Sequence, residues 1–220
     1  MSNYNLVKII VIGDSGVGKT SILHQYCFSK FDLKVFPTIG CDFLSKNFEI
    51  PDHQPIRLQL WDVAGQESFQ TISKLFIRGS LGCVIVTDAT NLASFKNSLK
   101  WKELVEENCD YYNDKPIPTI LVQNKFDLLS NLDNLELDVD KKVNDKTIAK
   151  KFAKENGFFS LVQVSAKENK NIEKIFNKLM NEIKKRGLLN DGRKDISEGT
   201  RSFLNVTREL NSEKQNKCSC

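Results

Sequence analysis

Leu6-Val7-Lys8-Ile9-Ile10-Val11-Ile12 runs directly into Gly13-Asp14-Ser15-Gly16-Val17-Gly18-Lys19-Thr20. The first stretch, apolar but for Lys8 and rich in β-branched residues, predicts a strand buried on both faces. The second fits G-x-x-x-x-G-K-[ST] and opens a helical stretch over residues 19–29. Strand, glycine-rich turn and helix start, in that order, are the context the motif requires. The glycines let the backbone N–H groups of Ser15, Gly16, Val17 and Gly18 curl around phosphates. The helix beginning at Lys19, Thr20 and Ser21 adds its positive N-terminal potential. Lys19 is expected at the terminal phosphates, and the Thr20 hydroxyl on Mg²⁺.

Working outward, apolar runs of strand length alternate with segments of helical period. Gly82–Asp88 and Ile117–Gln123 read as buried strands, and Ser160–Val164 as a weaker one. Ile56–Trp61 alternates apolar and polar residues, which suits a strand with one face less buried, and Phe43–Ile50 is its hairpin partner. Helices are predicted over 19–29, 92–108, 147–156 and 171–185. The last has Ile172, Ile175, Phe176, Leu179, Met180 and Ile183 on one face and Asn171 placed to cap it. Such alternation predicts an α/β fold with a mainly parallel sheet covered on both faces, binding its ligand beyond the carboxyl ends of the strands.

The chain has 220 residues, 40% hydrophobic and 27% charged, a globular composition. No apolar run reaches the roughly 18 residues of a membrane-spanning helix, and neither a signal peptide nor an N-myristoylation pattern is expected at the start. The net charge of +4 is unevenly placed: from Lys184 on, nine Lys/Arg face five Asp/Glu, whereas residues 1–183 carry 23 of each sign. A nucleic-acid-binding protein is therefore not indicated. Past Arg186 the apolar period fades, so residues 1–186 are read as one domain and 187–220 as a flexible tail. Cys27, Cys41, Cys83 and Cys109 read as packing residues, and His24 and His53 have no metal-binding companions.

Three further motifs stand at predicted strand ends. Asn124-Lys125-Phe126-Asp127 offers a carboxylate, Asp127, able to accept both the ring N–H and the exocyclic NH₂ of guanine. Adenine presents no such pair of donors. Ser165-Ala166-Lys167 follows another strand. In Trp61-Asp62-Val63-Ala64-Gly65-Gln66-Glu67, Asp62 is placed to hold Mg²⁺ through water, Gly65 to bring its N–H to a γ-phosphate, and Gln66 to orient an attacking water. Thr38, in Pro37-Thr38-Ile39-Gly40, is a second hydroxyl ligand for Mg²⁺.

With these motifs the sequence resembles the Ras superfamily, and within it the Rab family of membrane-traffic GTPases, over residues 5–186. Ile39–Phe43, Leu58–Asp62 and the run from Phe69 through Gly79-Ser80 match Rab stretches. Arg57–Asp62, Leu99–Lys102 and Lys115–Pro118 look like the branch serving lysosome-related organelles. The resemblance implies a P-loop GTPase fold, a six-stranded mostly parallel sheet flanked by five helices. It also implies a Mg²⁺-dependent switch that binds GTP or GDP, hydrolyses GTP and recruits effectors to the cytoplasmic faces of intracellular membranes, with a cytosolic pool. It places Phe31 and Lys125 against the guanine and makes Phe43, Trp61 and Phe76 an aromatic triad linking the nucleotide-sensing loops, which ordinary core packing also explains. Expected partners are an exchange factor, a GTPase-activating protein, a prenylation escort, a dissociation inhibitor and effectors. Cys218-Ser219-Cys220 matches the ending Rab proteins carry for double geranylgeranylation. Val63, Ser68 and Phe76-Ile77 depart from the usual Rab residues without removing a catalytic group, and residues 130–146 form a long mixed-charge loop. A non-hydrolysing scaffold and a small-molecule kinase are the rival readings. Gln66, Lys19 and Thr38 argue against the first, Asn124–Asp127 and the cysteine ending against the second.

Overall fold

Strand β1 (Asn5–Ile12) lies inside the sheet, with a neighbouring strand on each side, and decides what surrounds it. In the computed structural model, which describes residues 4–33, 36–50, 54–65, 75–129 and 145–189, β1 leads into α1 (Lys19–Phe28). Next come β2 (Cys41–Phe48), β3 (Ile56–Val63), β4 (Gly82–Asp88), α2 (Leu92–Asn108), β5 (Thr119–Asn124), α3 (Lys146–Glu155), β6 (Ser160–Gln163) and α4 (Ile172–Lys185). Among the described residues, a short helical segment also occupies residues 75–77 and a 3₁₀ turn residues 126–129. The six strands form one sheet in the order β2-β3-β1-β4-β5-β6. Only β2 runs antiparallel, paired with β3 from Cys41↔Val63 to Phe48↔Ile56. This is the mostly parallel, helix-flanked sheet the sequence implies.

The alternation of side chains along β1 builds two cores. Val7, Ile9 and Val11 join Ile22 and Leu23 of α1 and Phe176, Leu179 and Met180 of α4. Ile10 and Ile12 join Phe95, Trp101 and Val105 of α2 and Ala149 and Ala153 of α3. A strand buried on both faces can afford almost no polar residue. Lys8 is the exception, buried with its ammonium over the Trp61 ring and donating to the Arg78 carbonyl at 2.7 Å.

Two local expectations are corrected. The strand predicted from Ile117 begins at Thr119, because Pro116 and Pro118 have no N–H to give a ladder, and it runs on to Asn124. Asn171 does stand at the start of α4, but it does not cap the helix with its side chain. Its backbone is left-handed (φ 60°), whereas side-chain capping needs an extended residue, and its amide donates instead to the Gln163 carbonyl at 2.9 Å. Helices α2 and α3 are capped in the usual way, by Asn91 accepting from the Ser94 N–H and Asp145 from those of Thr147 and Ile148.

Parallel pairing brings strand ends to one edge. Val11 is in register with Asp62, and Asp88 with Asn124. The chain leaves β1 toward β3 on one side and meets β4 on the other, so a crevice opens beyond Ile12. Gly13 makes the exit possible: at φ 142°, a Cβ there would lie 2.2 Å from the Val86 carbonyl oxygen.

Candidate nucleotide-binding site

A cavity of about 420 Å³ fills that crevice, a size that suits a small ligand. Its walls include Ser15, Gly16, Gly18, Lys19, Thr20 and Ser21 from the turn after β1, Phe31 and Thr38 from the loop before β2, and Gly65 after β3. Asn124, Lys125, Asp127, Ala166 and Lys167 complete it from the loops after β5 and β6. Thus residues up to about 150 apart in sequence line one space. Val17 and Ser165 are buried beside the walls rather than on them. Asp32, Leu33, Phe36 and Leu128 also line the cavity and had no distinguishing sequence signal. Gln66, the 130–144 portion of the long loop, Cys218 and Cys220 lie outside the described residues.

The turn 13–18 is built to leave donors unspent. Gly18 is left-handed at φ 94°, and no side chain caps the start of α1. The first-turn N–H groups therefore receive no side-chain cap from Gly18 and bring the positive end of the helix dipole to the cavity. The Lys19 ammonium curls back onto the Gly13 and Asp14 carbonyls at 2.9 and 2.8 Å. Burial pulls its pKa down to about 8, opposed by the charges of Asp62 and then Asp14. A lysine so desolvated gains greatly from an incoming anion.

Beside it, Thr20, Thr38 and Asp62 meet. The Thr20 hydroxyl donates to Asp62 Oδ2 at 2.5 Å, the two threonine hydroxyls are 3.0 Å apart, and Thr38 reaches the same carboxylate at 3.4 Å. Burial pushes the Asp62 carboxyl up, while the Thr20 hydrogen bond and Lys19 draw it down. Its buried Oδ1 has no hydrogen-bond partner among the described residues. Such an orphaned anionic oxygen beside two hydroxyls is a hard-oxygen donor set, and it fits Mg²⁺.

The base-side loops are tied together by their own side chains. Asn124 donates to the Val17 carbonyl at 2.9 Å and accepts from the Ala166 N–H at 3.1 Å, joining all three loops. The Ser165 hydroxyl donates to Asp127 Oδ1 at 2.6 Å and accepts from the Glu168 N–H at 3.0 Å. Lys125, left-handed at φ 65°, pairs with Asp88 at 2.6 Å, and Asp88 also accepts from Thr90. Asp88 was missed in the sequence because it closes a strand outside any motif. Phe43, Trp61 and Phe76 do come together, at ring separations of 5.3 and 5.6 Å.

A sheet of this order, with a glycine-rich phosphate turn after β1 and an Asn-Lys-x-Asp turn after β5, defines the class as the P-loop GTPase fold. The Ras family model matches residues 8–185. The chain is 36% identical over 185 residues to Ras-related protein Rab-7L1 of Homo sapiens, covering 83% of this chain and 84% of that one. It is 38% identical to Ras-related protein Rab-32A of Dictyostelium discoideum (83% and 80% covered) and 34% identical to the Ypt/Rab-type GTPase YPT7 of Saccharomyces cerevisiae (80% of each). The chain belongs to the Ras family, among its Rab small GTPases.

Proposed function

We propose that this protein is a Mg²⁺-dependent switch that binds GTP, hydrolyses it to GDP and phosphate, and recruits effectors to membranes of the vesicle and organelle traffic system. The observation that carries the reading is the convergence of Lys19, Thr20, Asn124 and Asp127 on one cavity. Asp127 and Ala166 suit the guanine, with Phe31 and Lys125 along its faces. Ser15 to Ser21 provide N–H groups and the Lys19 ammonium for the phosphates. Thr20, Thr38 and Asp62 would hold Mg²⁺, which when bound neutralises charge on the phosphate oxygens.

In hydrolysis the Gln66 amide orients a water whose oxygen bonds to the γ-phosphorus as the β–γ bridging bond breaks toward GDP. Lys19 and the backbone N–H groups stabilise the charge that moves onto the leaving oxygens. Loss of the γ-phosphate removes the contacts of Thr38 and Gly65, and their loops relax. Leu33, Phe36, Ile39 and Leu75 are 68–87% exposed around these loops, an apolar surface that suits effectors, exchange factor and activator. Geranylgeranyl groups on Cys218 and Cys220, added with an escort and extracted by a dissociation inhibitor, would hold the protein at cytoplasmic membrane faces.

Single-turnover hydrolysis with an activating protein present tests the chemistry. Gln66→Leu is expected to bind GTP normally and hydrolyse it far more slowly. Hydrolysis at the wild-type rate by that variant removes Gln66 from its role, and failure of the wild type to bind GTP overturns the function.

A further inference from the structure

The phosphate turn contains a carboxylate. Asp14 follows Gly13 directly, and a negative side chain there would repel the very ligand the turn is shaped to receive. The structure shows where the charge goes. Asp14 is absent from the cavity walls, although its neighbours Ser15 and Gly16 line them. Its Oδ1 accepts from the Trp101 indole N–H at 2.7 Å and its Oδ2 from the Asn97 amide at 2.9 Å. Both donors stand on α2, one turn apart, more than 80 residues away along the chain. Trp101 is buried in the core between the sheet and α2, so its N–H has given up water for this one bond. Charge-assisted bonds of this kind are about twice as strong as neutral ones.

The same residue touches the site with its backbone. The Asp14 carbonyl accepts from Lys19, and a Cβ on Gly65 would lie 2.4 Å from the Asp14 carbonyl carbon. A shift of Asp14 is therefore felt at the phosphate lysine and at the loop after β3. We infer that Asp14 is a positioning residue: clamped to α2 by Trp101 and Asn97, it holds the phosphate turn in its binding shape and so sets how fast nucleotide leaves. The inference rests on the proposed function, because it needs the turn to hold phosphates. A preorganised turn loses little order on binding, and its loosening appears mainly as faster dissociation.

The test is release of a fluorescent GDP analogue from the full-length protein, chased with excess GDP at constant Mg²⁺. Trp101→Phe keeps an aromatic ring in the core and removes the donor, and release is expected to accelerate about tenfold. In an Asp14→Ala background the same change should add nothing, since the bond is already gone. The Trp101 indole ¹H–¹⁵N resonance should move upfield in Asp14→Ala. Phe152→Leu, which thins the 4.6 Å ring contact between α3 and Phe95 of α2 without touching Asp14, should lower the unfolding temperature and leave release unchanged. Should Trp101→Phe not fold, Asn97→Ala carries the test, with release about threefold faster. Release at the wild-type rate, multiplicative effects of the two changes, or equal acceleration by Phe152→Leu would each overturn the clamp. A wild-type protein that retains no GDP overturns the nucleotide reading and the clamp together, which separates the two failures.

Discussion

Asp127 and Lys8 show what a single side chain decides in this molecule. Asp127 is held by the Ser165 hydroxyl on Oδ1 while it lines the cavity. An asparagine that keeps its oxygen on Ser165 brings an NH₂ where the second carboxylate oxygen was, setting donor against the guanine donors. Asp127→Asn is therefore expected to weaken GTP binding at least about tenfold and to favour xanthosine triphosphate, whose extra carbonyl accepts from that NH₂. Competition titration of the two nucleotides checks it, and unchanged GTP affinity contradicts the assignment. Lys8 acts on stability instead. Desolvation lowers its pKa to about 8, against weaker opposing effects of Cys41 and Asp110. The folded protein thus releases this proton near pH 8, while the unfolded chain keeps it to the ordinary lysine value of 10.5. Between those limits the unfolded state binds more protons, so Lys8 makes stability rise with pH; below them its full burial cost is present. The raised pKa values of half-buried Cys41 and buried Cys83 act in the opposite sense, because the unfolded thiols ionise first as pH rises through about 9. Comparing urea midpoints of wild type and Lys8→Met at pH 7.5 and 9.5 largely cancels the thiols. The wild type is expected to gain on the variant by about 2 kcal/mol as pH rises over that window, and parallel pH responses would contradict it.

At the scale of elements, α4 and α2 divide support from positioning. Helix α4 contributes no residue to the cavity, yet its whole apolar stripe is buried. Phe176 is fully buried and stacks on Tyr26 of α1 at 3.8 Å, with Lys46 of β2 over the far ring at 4.0 Å. Truncating it leaves a void that three elements must close. Phe176→Ala is expected to cost about 3–5 kcal/mol in denaturant unfolding while the folded fraction binds nucleotide as before. A large change in affinity at unchanged stability would show α4 to be part of the site. Helix α2 is different: Ser94 bonds the Asp88 N–H at one end, and Asn97 and Trp101 hold Asp14 in its middle. One rigid helix therefore braces both the loop that pairs Lys125 and the phosphate turn.

For the whole molecule, attachment and folding are the two properties that no single element carries. If both terminal cysteines are geranylgeranylated, membrane residence needs both, because one lipid chain binds only marginally and two signals anchor stably. Cys218→Ser and Cys220→Ser are each expected to become partly soluble, and the double variant wholly so, in membrane fractionation. A double variant that still pellets places the anchor elsewhere. On such a membrane the basic excess beyond residue 183 would add about 1 kcal/mol per cation held near anionic lipid, but acids interrupt it, so the lipids would dominate.

The strand–turn–helix at Leu6–Thr20, the hairpin of β2 and β3, and the strand ends that carry Asp62 and Asn124 are legible without any tertiary contact. These features are local: apolar period, glycine spacing and the chemistry of short motifs act within a few residues. The Asn-Lys-x-Asp and Ser-Ala-Lys turns were legible for the same reason. Asp14's bonds to Trp101 and Asn97, the pairing of Asp88 with Lys125, the burial of Lys8 beneath Trp61, and the side-chain orientation of Asn171 were decided only by tertiary structure. Each depends on where a parallel crossover or a left-handed turn delivers a partner distant in sequence. Asp14 could be read as one of the free positions of its motif, because the motif specifies what the phosphates touch. What holds the turn from behind is set by the packing of α2 against the sheet, and local sequence spacing carries no record of that.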